Sequence, residues 1–161
     1  MKGVFNYFLI TSVLVGFIFI ISTLTSNKGR DKSIIYLNLV VTFLVLNYLQ
    51  IVLLDNVFTE ANYFVTMLRI PFYALILPAY YTFVTFYLGL ETKITSYVFF
   101  SLSLFLIEIA VRVILFQEYY YENESYVVAK YRQVEEIVNI IFSLYLFVKA
   151  FVLLFKRQKL Y

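Results

Sequence analysis

Of 161 residues, 63% are hydrophobic and 14% charged, against about 45–50% and about 25% in an average soluble domain. A chain this apolar has too little polar surface to cover a core in water, so its solvent is lipid. A net charge of +3 is too small to point to nucleic acid, and with neither cysteine nor histidine present disulfides, thiolate metal sites and the commonest general base are excluded.

Residues 4–24 form the first apolar run. About 20 residues at 1.5 Å each cross a hydrocarbon core of roughly 30 Å. The run is too long for a signal-peptide core of about 7–15 residues, and no small-x-small cleavage site follows, so it reads as a retained span. A hydrophilic loop with Lys28, Arg30 and Lys32 leads to a second span over 33–54, closed by Asp55 and Asn56. Over 56–69, Val57, Phe58, Ala61, Phe64, Val65 and Leu68 fall on one helical stripe, which predicts a short amphipathic helix lying in the interface. Pro71 then marks a break, because it lacks the N–H a continuing helix would use. The third span is predicted over 70–90 with a kink at Pro78. A single bent helix over 62–89 is the alternative. The fourth span covers 94–116. A polar, tyrosine-rich stretch over 117–136 follows, where Asn123 or Ser125 caps a new helix, and the fifth span covers 137–155. The expected fold is all-α: one polytopic membrane helix bundle over 1–161, with about five transmembrane helices plus the interfacial helix.

Orientation follows from the cations. With the N-terminus outside, the inner side holds Lys28, Arg30, Lys32, Lys93, Lys156, Arg157 and Lys159, against Lys2, Lys130 and Arg132 outside. Cytoplasmic loops carry the excess of Lys and Arg, so the expected topology is N-out and C-in, multi-pass, in the cell (cytoplasmic or inner) membrane. Acids gather on the outer side: Asp55, Glu60, Glu118, Glu122, Glu124, Glu135 and Glu136. Without tryptophan, the aromatic belt falls to tyrosines such as Tyr7, Tyr63, Tyr97, Tyr119, Tyr120, Tyr121 and Tyr161.

Polar residues inside the spans are the candidate site. Glu108 lies about 12 Å below the outer end of the fourth span, at 1.5 Å per residue. An ionised carboxylate at that depth needs a partner. Arg112 stands four residues on, one turn nearer the outside on the same face, which predicts a Glu108–Arg112 ion pair with the arginine snorkelling outward. Asn47 and Gln50 share a face near the outer end of the second span. Arg69 sits at the entry of the third, and Asn139 and Ser143 share a face of the fifth. Glu108, Arg112, Asn47, Gln50, Arg69 and Asn139 are therefore expected to surround an outward-facing crevice for a small polar or amphipathic ligand. Hydrogen bonding between helices is the competing reading of the same residues. Lys149 is expected to snorkel to the cytoplasmic headgroups, and Asn38 to bond a neighbouring helix. The triplet 123–125 matches a glycosylation sequon.

Chemistry is not expected of this chain. Asp31 and Asp55 sit at opposite ends of the second span and cannot meet as a peptidase pair. No Gly-x-Ser-x-Gly elbow, phosphate loop or His-x-x-x-His spacing occurs. The reading is a non-enzyme with no cofactor and no metal site.

The run LPAYYTFVTFYLG at 77–89 is similar to the Pro-x-x-Tyr-x-Tyr opening of a span in membrane-bound AraC-type transcription regulators. Pro78 and Tyr81 match, and Phe83 stands for the second tyrosine. The order of first span, basic loop (27–33), second span and short outer segment also resembles theirs, over roughly the first hundred residues. Lys93 to Tyr97 stand where those regulators open the next span with His-x-x-Pro, and their helix-turn-helix domain has no counterpart in these residues. The chain is thus either a sensor module cut from a longer protein or a stand-alone relative. The resemblance implies a membrane sensor or signalling module that receives a signal at the envelope and passes it through the fifth span to a cytoplasmic DNA-binding domain. The other reading is a small transport or lipid/solute-binding membrane protein. Expected partners are the lipid bilayer, a small polar or amphipathic ligand from outside and a second copy of the chain, with no direct nucleic acid contact by these residues.

Overall fold

A computed structural model describes residues 2–26, 31–57, 69–90, 95–119 and 126–158. They form five helices: α1 (Lys2–Thr25), α2 (Lys32–Val57), α3 (Tyr73–Tyr87), α4 (Thr95–Tyr119) and α5 (Tyr126–Gln158). Four of them, α1, α2, α4 and α5, are long and apolar enough to cross a membrane. Large apolar side chains point away from the bundle on each, among them Phe8, Ile18, Phe99, Ile107, Ile141 and Phe147. Such a surface is stable against hydrocarbon and not against water.

Side-chain pairs give the helix order. Thr23 Oγ1 donates to Asn38 Oδ1 at 2.6 Å, and Gly16 lies against Val45 so closely that any Cβ there would collide with it. Residue numbers fall along α1 as they rise along α2, so the two are antiparallel. Tyr36 stacks on Phe86 at 4.7 Å and Phe43 on Phe72 at 6.5 Å. Tyr81 meets Tyr97 edge-on at 5.5 Å, and Phe72 meets Phe105 at 6.3 Å. Phe100 meets Phe142 at 5.0 Å. The same reasoning makes α2–α3, α3–α4 and α4–α5 antiparallel. The helices run up-down-up-down-up.

α3 is the axis of the bundle. It packs on α2, α4 and α5 and buries Ala74, Leu75, Pro78, Ala79, Tyr81, Thr82, Val84 and Thr85. Its threonine hydroxyls bond back to its own carbonyls, Thr82 to Pro78 at 2.7 Å and Thr85 to Thr82 at 2.7 Å, so their burial leaves neither donor unpaired. A buried apolar cluster of Tyr81, Val84, Leu88, Leu146 and Ala150 lies toward the end of the bundle where α3 terminates. Gly89 ends α3 at φ +68, its N–H bonding Phe86 O at 3.0 Å while Leu90 N–H bonds Thr85 O at 2.9 Å. This is a Schellman turn, which needs the left-handed conformation that glycine adopts freely.

Three boundaries differ from the sequence expectation. The segment predicted as a span over 70–90 is helical only over Tyr73–Tyr87, 15 residues or about 22 Å. Residues 70–72 form a tight turn in which Phe72 N–H bonds Ile70 O at 2.8 Å. That turn, set by buried Pro71, excludes a single bent helix over 62–89. Pro78 lies inside α3, which continues through it. α5 begins at Tyr126, well before the span expected from 137 and next to the helix cap expected at Asn123 or Ser125, and runs for 33 residues. Its first turns are amphipathic: Val128 and Glu135 are buried, while Lys130, Arg132 and Glu136 face outward. The bonds Lys130 to Tyr126 and Arg132 to Glu136, both 2.9 Å and four residues apart, support that extension. Most of the segment predicted as an interfacial helix, the sequon at 123–125, and Tyr63, Tyr120, Tyr121 and Tyr161 lie outside the described residues.

Candidate functional site

The break before α3 creates the demand that organises the site. The Pro71 and Phe72 carbonyls accept from the first turn of α3, but residues 69 and 70 carry backbone groups that no helix satisfies, and in a bilayer each unpaired group costs several kcal/mol. Gln50 answers from α2: its Nε2 donates to Ile70 O at 2.8 Å, and its Oε1 accepts from Ile70 N–H at 3.0 Å. The same Nε2 also donates to Asn47 Oδ1 at 3.1 Å. Arg112 answers from α4, its Nη1 donating to the Arg69 carbonyl.

Arg112 forms its ion pair with Glu135 of α5, not with Glu108. Nε donates to both Glu135 oxygens, at 3.1 and 3.2 Å, and Nη2 donates to Oε1. Tyr73, the first residue of α3, donates its hydroxyl to Glu135 Oε1 at 2.7 Å and accepts from Arg112 Nη2 at 3.2 Å. The i,i+4 spacing places Glu108 and Arg112 on one face. A carboxylate across the helix interface, however, offers the guanidinium a two-pronged approach that its own helix does not. Glu108 faces Asn139 instead. Asn139 Nδ2 donates to Glu108 Oε1 at 2.5 Å and to Glu135 O at 3.1 Å. Glu108 is 4% exposed, and its Oε2, like Asn139 Oδ1, has no hydrogen-bond partner among the described residues.

Between α2 and α5, over α3, this framework leaves a crevice of about 600 Å³. Asn47, Gln50, Arg69, Arg112 and Asn139 line it, as does Ser143. Glu108 lies behind Asn139 and is not part of the wall. Arg132 and Glu136 stand at the mouth, half exposed and paired at 2.9 Å, a solvated pair that contributes little stability.

Sequence reasoning missed Glu135 and Tyr73 as members of the site. A signal for Glu135 exists: the buried stripe of α5 runs Ala150, Leu146, Asn139, Glu135, Val128, in steps of four and seven that keep one helix face. Lys149, at the other end, rests over the rings of Tyr97 and Tyr145, 4.6 and 4.8 Å from their centroids, and donates to the Tyr97 hydroxyl. Its charge therefore has aromatic partners within the protein. Asn38 bonds a neighbouring helix, through Thr23.

Fixed donors and acceptors at one end of a largely apolar cleft suit recognition of a ligand. Compared with known proteins, the chain matches no protein-family model, no curated protein and no solved structure.

Proposed function

We propose that the chain is a membrane-embedded sensor module in which five helices cross the bilayer, α3 among them, with the N-terminus outside and the C-terminus in the cytoplasm. The crevice opens on the outer side, takes a small ligand, and passes its occupancy inward through α5. One observation carries this reading. α5 is a single continuous helix of 33 residues that lines the crevice over 132–143 and, near its other end, donates from Arg157 Nη1 to the Leu88 carbonyl at the end of α3. A shift of α5 against α3 at the crevice therefore reaches the far end of both helices. The resemblance to membrane-bound AraC-type regulators supports a DNA-binding output joined beyond Tyr161, and reading the frame past that codon tests it.

The transport reading needs a route past the cluster of Val84, Leu88, Leu146 and Ala150, which are each at most 7% exposed. The crevice stops above that cluster, which favours binding over passage. The sensor reading is tested with spin labels at Leu90→Cys and Lys156→Cys, in a chain that has no cysteine of its own. Ser143→Trp fills the crevice and stands in for a ligand. It is expected to change the distance distribution between the labels. An unchanged distribution in a folded Ser143→Trp protein argues against signalling through α5.

A further inference from the structure

Two buried side chains meet where α4 packs on α5, and each keeps one oxygen without a hydrogen bond. Asn139 Nδ2 donates to Glu108 Oε1 at 2.5 Å, while Glu108 Oε2 and Asn139 Oδ1 have no partner among the described residues. Both are acceptors when Glu108 is ionised, so neither can satisfy the other. Turning the Asn139 amide round does not help. Its Nδ2 also donates to Glu135 O at 3.1 Å, and reversal would set an oxygen against both acceptors.

No neighbouring group supplies the missing donor. Arg112, one turn along α4, directs Nε, Nη1 and Nη2 to Glu135, the Arg69 carbonyl and Tyr73. Tyr131 donates its hydroxyl to the Glu108 backbone carbonyl at 3.4 Å, and Tyr73 donates its own to Glu135. With Glu135 itself, these are the charged and titratable groups that face Glu108 among the described residues. The two oxygens are closed off by the packing around them, which leaves no water-sized space beside either. A metal cation would need more oxygens than the two left over. A proton needs only two.

The local charge balance agrees. Glu135 is matched by Arg112, so an ionised Glu108 would add an unmatched carboxylate within a helix fit to cross a membrane, where such a charge is costly. A protonated carboxyl has an O–H to donate.

We infer that Glu108 is a proton-binding site: in the folded chain it is a neutral acid whose Oε2–H donates to Asn139 Oδ1, closing a two-bond acid–amide ring between α4 and α5. The proton site does not require the crevice to hold a ligand, although both use Asn139, which lines the crevice.

The test is infrared spectroscopy on the full chain in nanodiscs of ether-linked phospholipid, which has no ester carbonyl to mask a carboxylic acid. At neutral pH an acid C=O stretch is expected, moving to lower frequency when the glutamate side-chain carboxyls carry heavy carbon. Glu108→Gln is expected to lose that band. Asn139→Leu is expected to keep it and move it to higher frequency, because the acid then lacks its hydrogen-bonded partner. The amide band in the same spectra reports whether each variant is folded. Absence of the acid band from the unsubstituted chain, or its survival at full strength in Glu108→Gln, overturns the inference. So does an unmoved band in folded Asn139→Leu, which would put the proton on a group that does not touch Asn139. Should Glu108→Gln not fold, the band in Asn139→Leu still decides.

Discussion

Arg112 joins three helices through one guanidinium: it sits on α4, pairs with Glu135 of α5, and bonds both Tyr73 of α3 and the carbonyl that precedes the α3 break. Arg112→Ala leaves a carboxylate buried without its cation, and breaking such a pair costs about 3–5 kcal/mol. Denaturant titration in micelles should show that loss. Arg112→Leu combined with Glu135→Leu should show less, since neither charge is stranded. Glu108→Gln keeps an acceptor for Asn139 and adds a donor where Oε2 now has none, so stability is expected to hold or rise. A loss as large as that of Arg112→Ala would mean that Glu108 carries an ion pair after all. Gln50→Leu strips the Ile70 N–H of its acceptor, while the Ile70 carbonyl keeps the Phe72 N–H, and should cost about 1–3 kcal/mol in the same titration. Depth and helical spacing were enough to gather Asn47, Gln50, Arg69, Arg112 and Asn139 on one wall from sequence. They did not identify the partner of Arg112, because spacing within a helix says nothing about which carboxylate the neighbouring helix presents.

At the scale of elements, apolar length located α1, α2 and α4 within a few residues. It failed at α3 and α5 for one reason: the bilayer rule counts about 20 residues, whereas packing against other helices counts faces. α3 is too short by that rule and is secured by its neighbours. α5 is too long and continues toward the cap expected at Asn123 or Ser125 as an amphipathic helix whose charged side faces outward, so Glu135 was read as part of the polar stretch outside the span. The α1–α2 contact depends on Gly16, which lies against the stiff, β-branched Val45. Gly16→Val should separate the two helices and break the Thr23–Asn38 bond. Disulfide cross-linking between Thr23→Cys and Asn38→Cys reads this directly, with efficiency expected to fall sharply when Gly16→Val is added. Undiminished cross-linking would show that α1 is held by something other than close approach.

For the whole molecule, alternation of direction through five helices puts Tyr126 and Lys156 at opposite ends of α5. With the C-terminus inside, a membrane-impermeant maleimide added to intact cells should label Tyr126→Cys and spare Lys156→Cys until the cells are opened. The reverse pattern inverts the topology drawn from the lysines and arginines. The short central helix has a consequence for how the protein is made. α3 contributes about 22 Å of helix, carrying Pro78 within it and two buried threonines, which makes it a poor candidate for leaving the translocon by itself. If α3 crosses the bilayer as proposed, its stable insertion then waits for α4 and α5 to be synthesised and to close around it. A nascent chain truncated before Tyr126 should leave α3 open to proteolysis that the full-length chain resists.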